Sequence, residues 1–195
     1  SENIEKPPGW FYTYIFSKMI SKPSCFDPQM LATEIVSSFS LFNRKRNTIY
    51  TQSAVKMRHV EKIKDNVDEF IKVVSECKNT NEKLIKSIIK KSRMNAVEFD
   101  KGNFVDLYSF YICVSKEIST AVAARHRSFE KLKDVLHEGI VAISEAILAK
   151  VAGPMFPQLG GLSIYFPIKA VHESYPKAAF ARNSGWLKFL EEYKT

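Results

Sequence analysis

Between Val60 and Cys77 apolar residues return at alternating steps of three and four, through Ile63, Val67, Phe70 and Val74, while Lys62, Asp65, Glu69, Lys72 and Glu76 fall elsewhere. Steps alternating between three and four track the ~3.6 residues of a helical turn, gather the apolar set on one face and predict a long amphipathic helix. Leu84, Ile85, Ile88 and Ile89 predict a shorter helix after it, and Phe104 to Ile118 repeats the helical spacing. Leu132, Val135, Leu136, Ile140, Ile143 and Ile147 predict another long helix that stops near Gly153-Pro154. Nearer the start, Trp10 to Ile20 predicts a helix ending at Lys22-Pro23. Asp27-Pro28, an N-cap followed by Pro at the first helical position, opens a second helix running to about Phe42. In the tail, 178–193, Trp186, Phe189, Leu190 and Tyr193 share one helical face.

Two segments read differently. Thr48-Ile49-Tyr50-Thr51 is rich in strand formers, and Leu162 to Ile168 is a short apolar run that predicts a buried strand. Two strands so far apart cannot satisfy their backbone groups alone, so they are expected to add to the edge of a sheet supplied by further sequence. Ser1 to Gly9 is polar and Pro-rich and predicts a loop, as do Arg44 to Asn47 and Asn95 to Asn103. No repeat, low-complexity tract or composition break marks a linker.

The 195 residues suffice for one domain with a sizeable core, and 45% hydrophobic with 26% charged residues is ordinary for a globular chain. No run approaches the ~18 apolar residues needed to span a bilayer, so no membrane span is expected. The chain opens on Ser1 with no Met, so processing or trimming ahead of it is expected. Its 29 basic against 21 acidic residues give +8, but Arg44-Lys45-Arg46, Lys90-Lys91 and Arg125-His126-Arg127 are short and scattered. A nucleic-acid footprint needs a continuous basic face, so solvated surface, or a basic piece packed against an acidic remainder, is the better reading.

Candidate chemistry is sparse. Cys25, Cys77 and Cys113 show neither paired nor metal-ligand spacing, and an odd number cannot all close internally. Cys77 and Cys113 fall on apolar helix faces, where a thiol is inert. His59, His126, His137 and His172 fit no metal pattern; His137-Glu138 comes nearest and lacks a second His. Gly160-Gly161 precedes a strand, whereas a nucleotide loop follows one, and neither Ser163 nor Ser184 sits in a nucleophile elbow. No residue set reads as a catalytic centre or a metal site.

Several blocks nevertheless occur in a telling order. They are Pro7-Pro8-Gly9-Trp10-Phe11-Tyr12; Thr48 to Val55 ahead of the amphipathic helix; Val105-Asp106-Leu107-Tyr108-Ser109-Phe110; Gly161-Leu162-Ser163-Ile164-Tyr165-Phe166-Pro167; and Tyr175 followed by Phe180-Ala181 and Trp186-Leu187-Lys188-Phe189-Leu190. Together they resemble the C-terminal part of the clostripain-like cysteine peptidases, relatives of caspases, gingipains and legumains. The resemblance implies an α/β fold: the helix-rich C-terminal part of a caspase-like α/β/α sandwich, with two short strands and six or seven helices here. Residues 1–55 would end the peptidase-like core, and 56–195 would form a helical subdomain whose strand 162–168 returns to it, all one structural unit.

In that family a catalytic His precedes Gly, and the catalytic Cys follows Asp and a small residue. Neither motif occurs in this chain, so the dyad would lie N-terminal to Ser1 and no residue here inherits a catalytic role. The resemblance implies that Ser1 to Tyr12 lines one wall of the substrate cleft. Ser1, Glu2, Gly9 and Trp10 are the substrate-binding candidates: Gly9 lets an extended peptide approach the backbone, Trp10 offers an apolar wall, and Glu2 would help neutralise a basic cleavage residue. For Glu2 an ordinary solvated carboxylate stands as the rival reading, and for Trp10 a helix-start anchor. Tyr165, Phe166 and Trp186 read as core, and Asp106 as a local cap or a local pairing partner. The family implies self-cleavage into associated chains, a secreted or cell-envelope bacterial setting, and a response to calcium, for which this sequence shows no acidic loop of alternating oxygen ligands and so no cofactor of its own.

The first reading is thus the non-catalytic C-terminal chain or fragment of a cysteine endopeptidase cleaving after Arg or Lys, partnered by its N-terminal catalytic segment and a peptide substrate. The second is an inactive peptidase-like helical module that binds a partner. A basic domain binding nucleic acid or acidic lipid ranks last.

Overall fold

The amphipathic stretch beginning at Val60 becomes the spine of the molecule, and the helices Leu107–Thr120, Arg127–Ala146 and Trp186–Glu192 pack along it, while that of Pro28–Asn43 packs against the strands Thr51–Val55 and Ile147–Ala152. The computed structural model describes residues 12–23, 27–45, 49–121, 126–156 and 158–193. In order these form α1 (Tyr12–Ser21), α2 (Pro28–Asn43), β1 (Thr51–Val55), α3 (Val60–Asn95), β2 (Glu98–Phe99), β3 (Phe104–Asp106), α4 (Leu107–Thr120), α5 (Arg127–Ala146), β4 (Ile147–Ala152), β5 (Ser163–Tyr165), α6 (Ala179–Asn183) and α7 (Trp186–Glu192). The protein is helix-rich α/β with small antiparallel sheets.

Buried faces of α3, α4 and α5 make the core. Val67, Phe70, Val74 and Cys77 meet Phe110, Tyr111, Val114, Leu132, Leu136 and Ile143, all essentially excluded from solvent. Phe166 bridges this core to the tail, with its ring edge-on to Phe110 at 5.5 Å and to Trp186 at 5.5 Å. The two helices predicted across 60–89 are arms of one element. Asn81 breaks the helical backbone at φ −155° and ψ 89°, and its side-chain oxygen accepts the Leu84 amide at 3.1 Å, restarting the helix as an N-cap does. Asp27 likewise caps α2 through the Met30 amide at 2.8 Å.

The strands correct the sequence reading. Neither predicted strand waits for an outside sheet, because each has a partner within the chain. β1 pairs antiparallel with β4, Thr51 opposite Ala152 and Ser53 opposite Lys150. β5 pairs with β3, Val105 opposite Ile164, and β3 pairs in turn with β2. The strand expected at 48–51 lies at Thr51–Val55, the one expected over 162–168 shortens to Ser163–Tyr165, and β2 occupies part of the expected loop. The helix expected from Phe104 begins at Leu107, after β3. The helix expected to reach Gly153 ends at Ala146, and Ile147–Ala152 turns into β4. The single tail helix is two, broken at Ser184-Gly185.

Arg93, 1% exposed, ties α3 to the small sheet. Its Nε donates to the Phe166 carbonyl and its Nη2 to that of Gly102, both at 2.6 Å. Glu98, mostly in solvent, stands 3.6 Å from Nη1. The arginine thereby satisfies carbonyls at a turn where Asp100, Lys101 and Gly102 all take positive φ.

Candidate functional site

β3 ends at Asp106, whose carboxylate caps α4 by accepting the Ser109 amide at 2.7 Å. The same carboxylate, fully buried, also accepts the amides of Gly160 at 2.9 Å and Gly161 at 3.1 Å. Backbone donors thus replace the water that a buried carboxylate loses. The sequence assigns this residue a local role alone, as cap or pairing partner; the cap is the local half of its work, and the long-range half falls on the glycine pair.

Those glycines are required by geometry. A Cβ on Gly160 would lie 2.1 Å from Cβ of Tyr108, and Gly161 sits at φ +96° with Ser53 and Lys150 close above it. Ser53 Oγ donates to the Gly161 carbonyl at 2.5 Å, and the Leu107 amide to that of Leu162 at 2.9 Å. Trp186 Nε1 donates to the Tyr165 carbonyl at 2.6 Å. The later four sequence blocks, scattered over more than half the chain, are therefore joined by direct hydrogen bonds.

The anchored 159–161 loop walls a cleft of about 470 Å³ beside β4, bordered by Tyr50, Gln52, Lys150, Pro154, Phe156 and Leu159. Lys150 Nζ donates to the Leu159 carbonyl at 2.5 Å and lies 5.7 Å from the centroid of the Tyr108 ring. Gln52, 3% exposed, has a side-chain carbonyl buried without a partner. The volume falls in the range of ligand pockets. The sequence singles out neither Gln52 nor Lys150: its spacing counts Lys150 into a helix, and Ile147–Ala152, with two β-branched residues among Leu, Ala and Lys, carries no local strand signal that could have found it.

Of the residues predicted to matter, Ser1, Glu2, Gly9 and Trp10 lie outside the described residues, as does Cys25. Burial pushes the Cys77 thiol up to about 11, and Cys113, half-buried, is pushed up for the same reason; neither is poised as a nucleophile. The histidines serve local structure. His126 Nδ1 accepts the Ser128 amide at the start of α5, and His172 Nδ1 that of Ser174. Ser184 Oγ donates to the Phe180 carbonyl. Among the described residues no three His, Cys, Asp or Glu side chains cluster as a metal site, and no helix is long and apolar enough to cross a membrane. Phe166 and Trp186 are buried in the core, and Tyr165 is partly exposed. No family model, curated protein or solved structure matches the chain.

Proposed function

We propose that this chain is the non-catalytic C-terminal portion of a clostripain-like cysteine endopeptidase that cleaves after Arg or Lys, and that it works as scaffold and as part of the substrate cleft. The observation that carries the reading is the convergence of the resembling blocks. Asp106 holds Gly160 and Gly161, Ser53 holds Gly161, and Trp186 holds Tyr165. A shared scaffold requires its motifs to meet in this way, and that agreement is what supports the reading. Attack by thiolate, proton transfer by His and stabilisation of the oxyanion come from the catalytic segment. This chain's part is to brace that segment and present the Ser1 to Trp10 region to substrate.

Two surface features agree with a partner. Tyr12, Phe16 and Ile20 recur every fourth residue on α1 and are 54%, 55% and 79% exposed, an apolar stripe of the kind that interfaces cover. The +8 charge complements an acidic counterpart.

The test is intact mass of the natural protein under native and then denaturing conditions, combined with an arginine-directed covalent cysteine probe. Co-migration with a second polypeptide or segment that takes the label supports the reading. A lone, folded, unlabelled chain overturns it and leaves the inactive interaction module, which the unfilled hydrogen-bonding capacity of Gln52 beside the cleft would serve.

A further inference from the structure

β4 has β1 on one side and, among the described residues, no strand on the other. The Gly153 amide donates to the Tyr50 carbonyl, and antiparallel alternation from that bond turns the N–H and C=O groups of Gln52 and Val151 toward each other. The groups of Lys150 and Ala152 therefore point outward, along the open edge. The cleft follows this edge: Lys150, Val151, Ala152 and Gly153 border it in succession. β1 is buried over Thr51 to Ser53, whereas β4 stays partly or wholly exposed along its length. A two-stranded ribbon with a free edge is marginal by itself and is a template for a third strand.

We infer that the cleft receives an extended acidic strand, contributed by the polypeptide this chain travels with, that pairs with the free edge of β4. Its main chain takes the outward groups of Lys150 and Ala152, the mode by which extended segments add to sheet edges. A carboxylate opposite Lys150 answers the ammonium, as a cross-strand pair on one face. On the other face a long donor side chain, reaching across Val151 and so across two strand spacings of roughly 10 Å, satisfies the orphaned Gln52 carbonyl on β1. The +8 of the chain favours an acidic segment over a second copy of itself. The inference rests on the proposed partnership, but not on that partner's being a peptidase.

The assembled natural protein provides the test. Carbodiimide coupling followed by peptide mass spectrometry should join Lys150 to an Asp or Glu of the partner. Amide exchange at Lys150 and Ala152 should slow by at least about a hundredfold relative to the chain separated from its partner. Lys150→Met should abolish the cross-link and weaken co-migration about tenfold or more, while Lys150→Arg restores co-migration. Should Lys150→Met alter the melt of the separated chain, Gln52→Leu serves as the second variant, with co-migration weakened and the cross-link at Lys150 retained. Fast exchange at Lys150 and Ala152 in the assembled protein overturns the strand addition even where the partner carries a labelled cysteine. Slow exchange with the cross-link, but no reactive cysteine, leaves the strand addition standing and removes the peptidase. Self-coupling of two copies through Lys150 overturns the assignment of the occupant.

Discussion

Asp106 accepts the backbone amide of Gly160 at 2.9 Å, across 54 residues of chain. With Gly161 and Ser109 on the same carboxylate, replacing it by Ala leaves buried donors without acceptors. Asp106→Ala should cost about 3–5 kcal/mol and Asp106→Asn, which keeps one oxygen, about 1–3 kcal/mol. Urea unfolding read by circular dichroism checks both.

The other half of that bond tolerates no side chain. Gly160→Ala drives a methyl into Tyr108 Cβ at 2.1 Å and should destabilise by about 2–4 kcal/mol. Gly161→Ala meets softer neighbours, at 3.2 Å, and mainly suffers from φ +96°, so about 1–2 kcal/mol is expected. Equal losses from the two substitutions in a thermal melt would contradict this ordering.

Arg93 binds two carbonyls in a direction-specific fork. Lys cannot reproduce that geometry, so Arg93→Lys should lose about 2–4 kcal/mol, nearly as much as Arg93→Met. A lysine variant as stable as the parent would show that charge alone suffices there.

Asn81 restarts α3 by accepting the Leu84 amide. Asn81→Ala should cost about 1 kcal/mol and Asn81→Asp roughly nothing, since the carboxylate can cap as well. Chemical denaturation of the pair gives the comparison.

Stability should fall at high pH. The Cys77 thiol, near 9.0 when free, is pushed up to about 11 by burial, so the folded state holds its proton more tightly than the unfolded one. The contribution is complete below about pH 9 and is lost as pH climbs through 11, roughly 2–3 kcal/mol in all. Tyr175, pushed up to about 12 for the same reason, acts in the same direction slightly higher. Urea midpoints at about pH 8 and about pH 10.5 should differ, and by less in Cys77→Ala. Alkylation of Cys77 at neutral pH should require unfolding.

The helical half of this fold was written plainly in the chain. Val60 to Cys77 and Leu84 to Ile89 carry an unambiguous period, and Asp27-Pro28 marks a start that local chemistry alone determines. What misled was Ile147, which continues the helical spacing of Ile140 and Ile143 and equally opens the run Ile147–Ala152. Local preference cannot choose between these, because the partner that decides is β1, about a hundred residues earlier. Phe104 was misassigned for the same reason, its strand pairing being with Tyr165. The cleft was illegible on similar grounds: Gln52 and Lys150 approach only after two distant strands align. Asp106 was recognised as a cap, since a cap needs only its next three residues, while its hold on Gly160 needed the whole fold.

The same separation shapes how the molecule is made. Synthesis at ~5–20 residues per second leaves β1 outside the ribosome for roughly 5–20 s before Ile147–Ala152 emerges to meet it. During that interval Thr51 to Val55 lacks the strand it pairs with in the folded chain, while α3 and α4 already have each other. Nascent chains halted before Ile147 should therefore be cut more readily around β1, and bind holdase chaperones more, than chains halted well after Tyr165; equal protease sensitivity would mean that β1 is sheltered by something else. The pairing that completes the ribbon is thus also the step at which newborn copies are most exposed to one another.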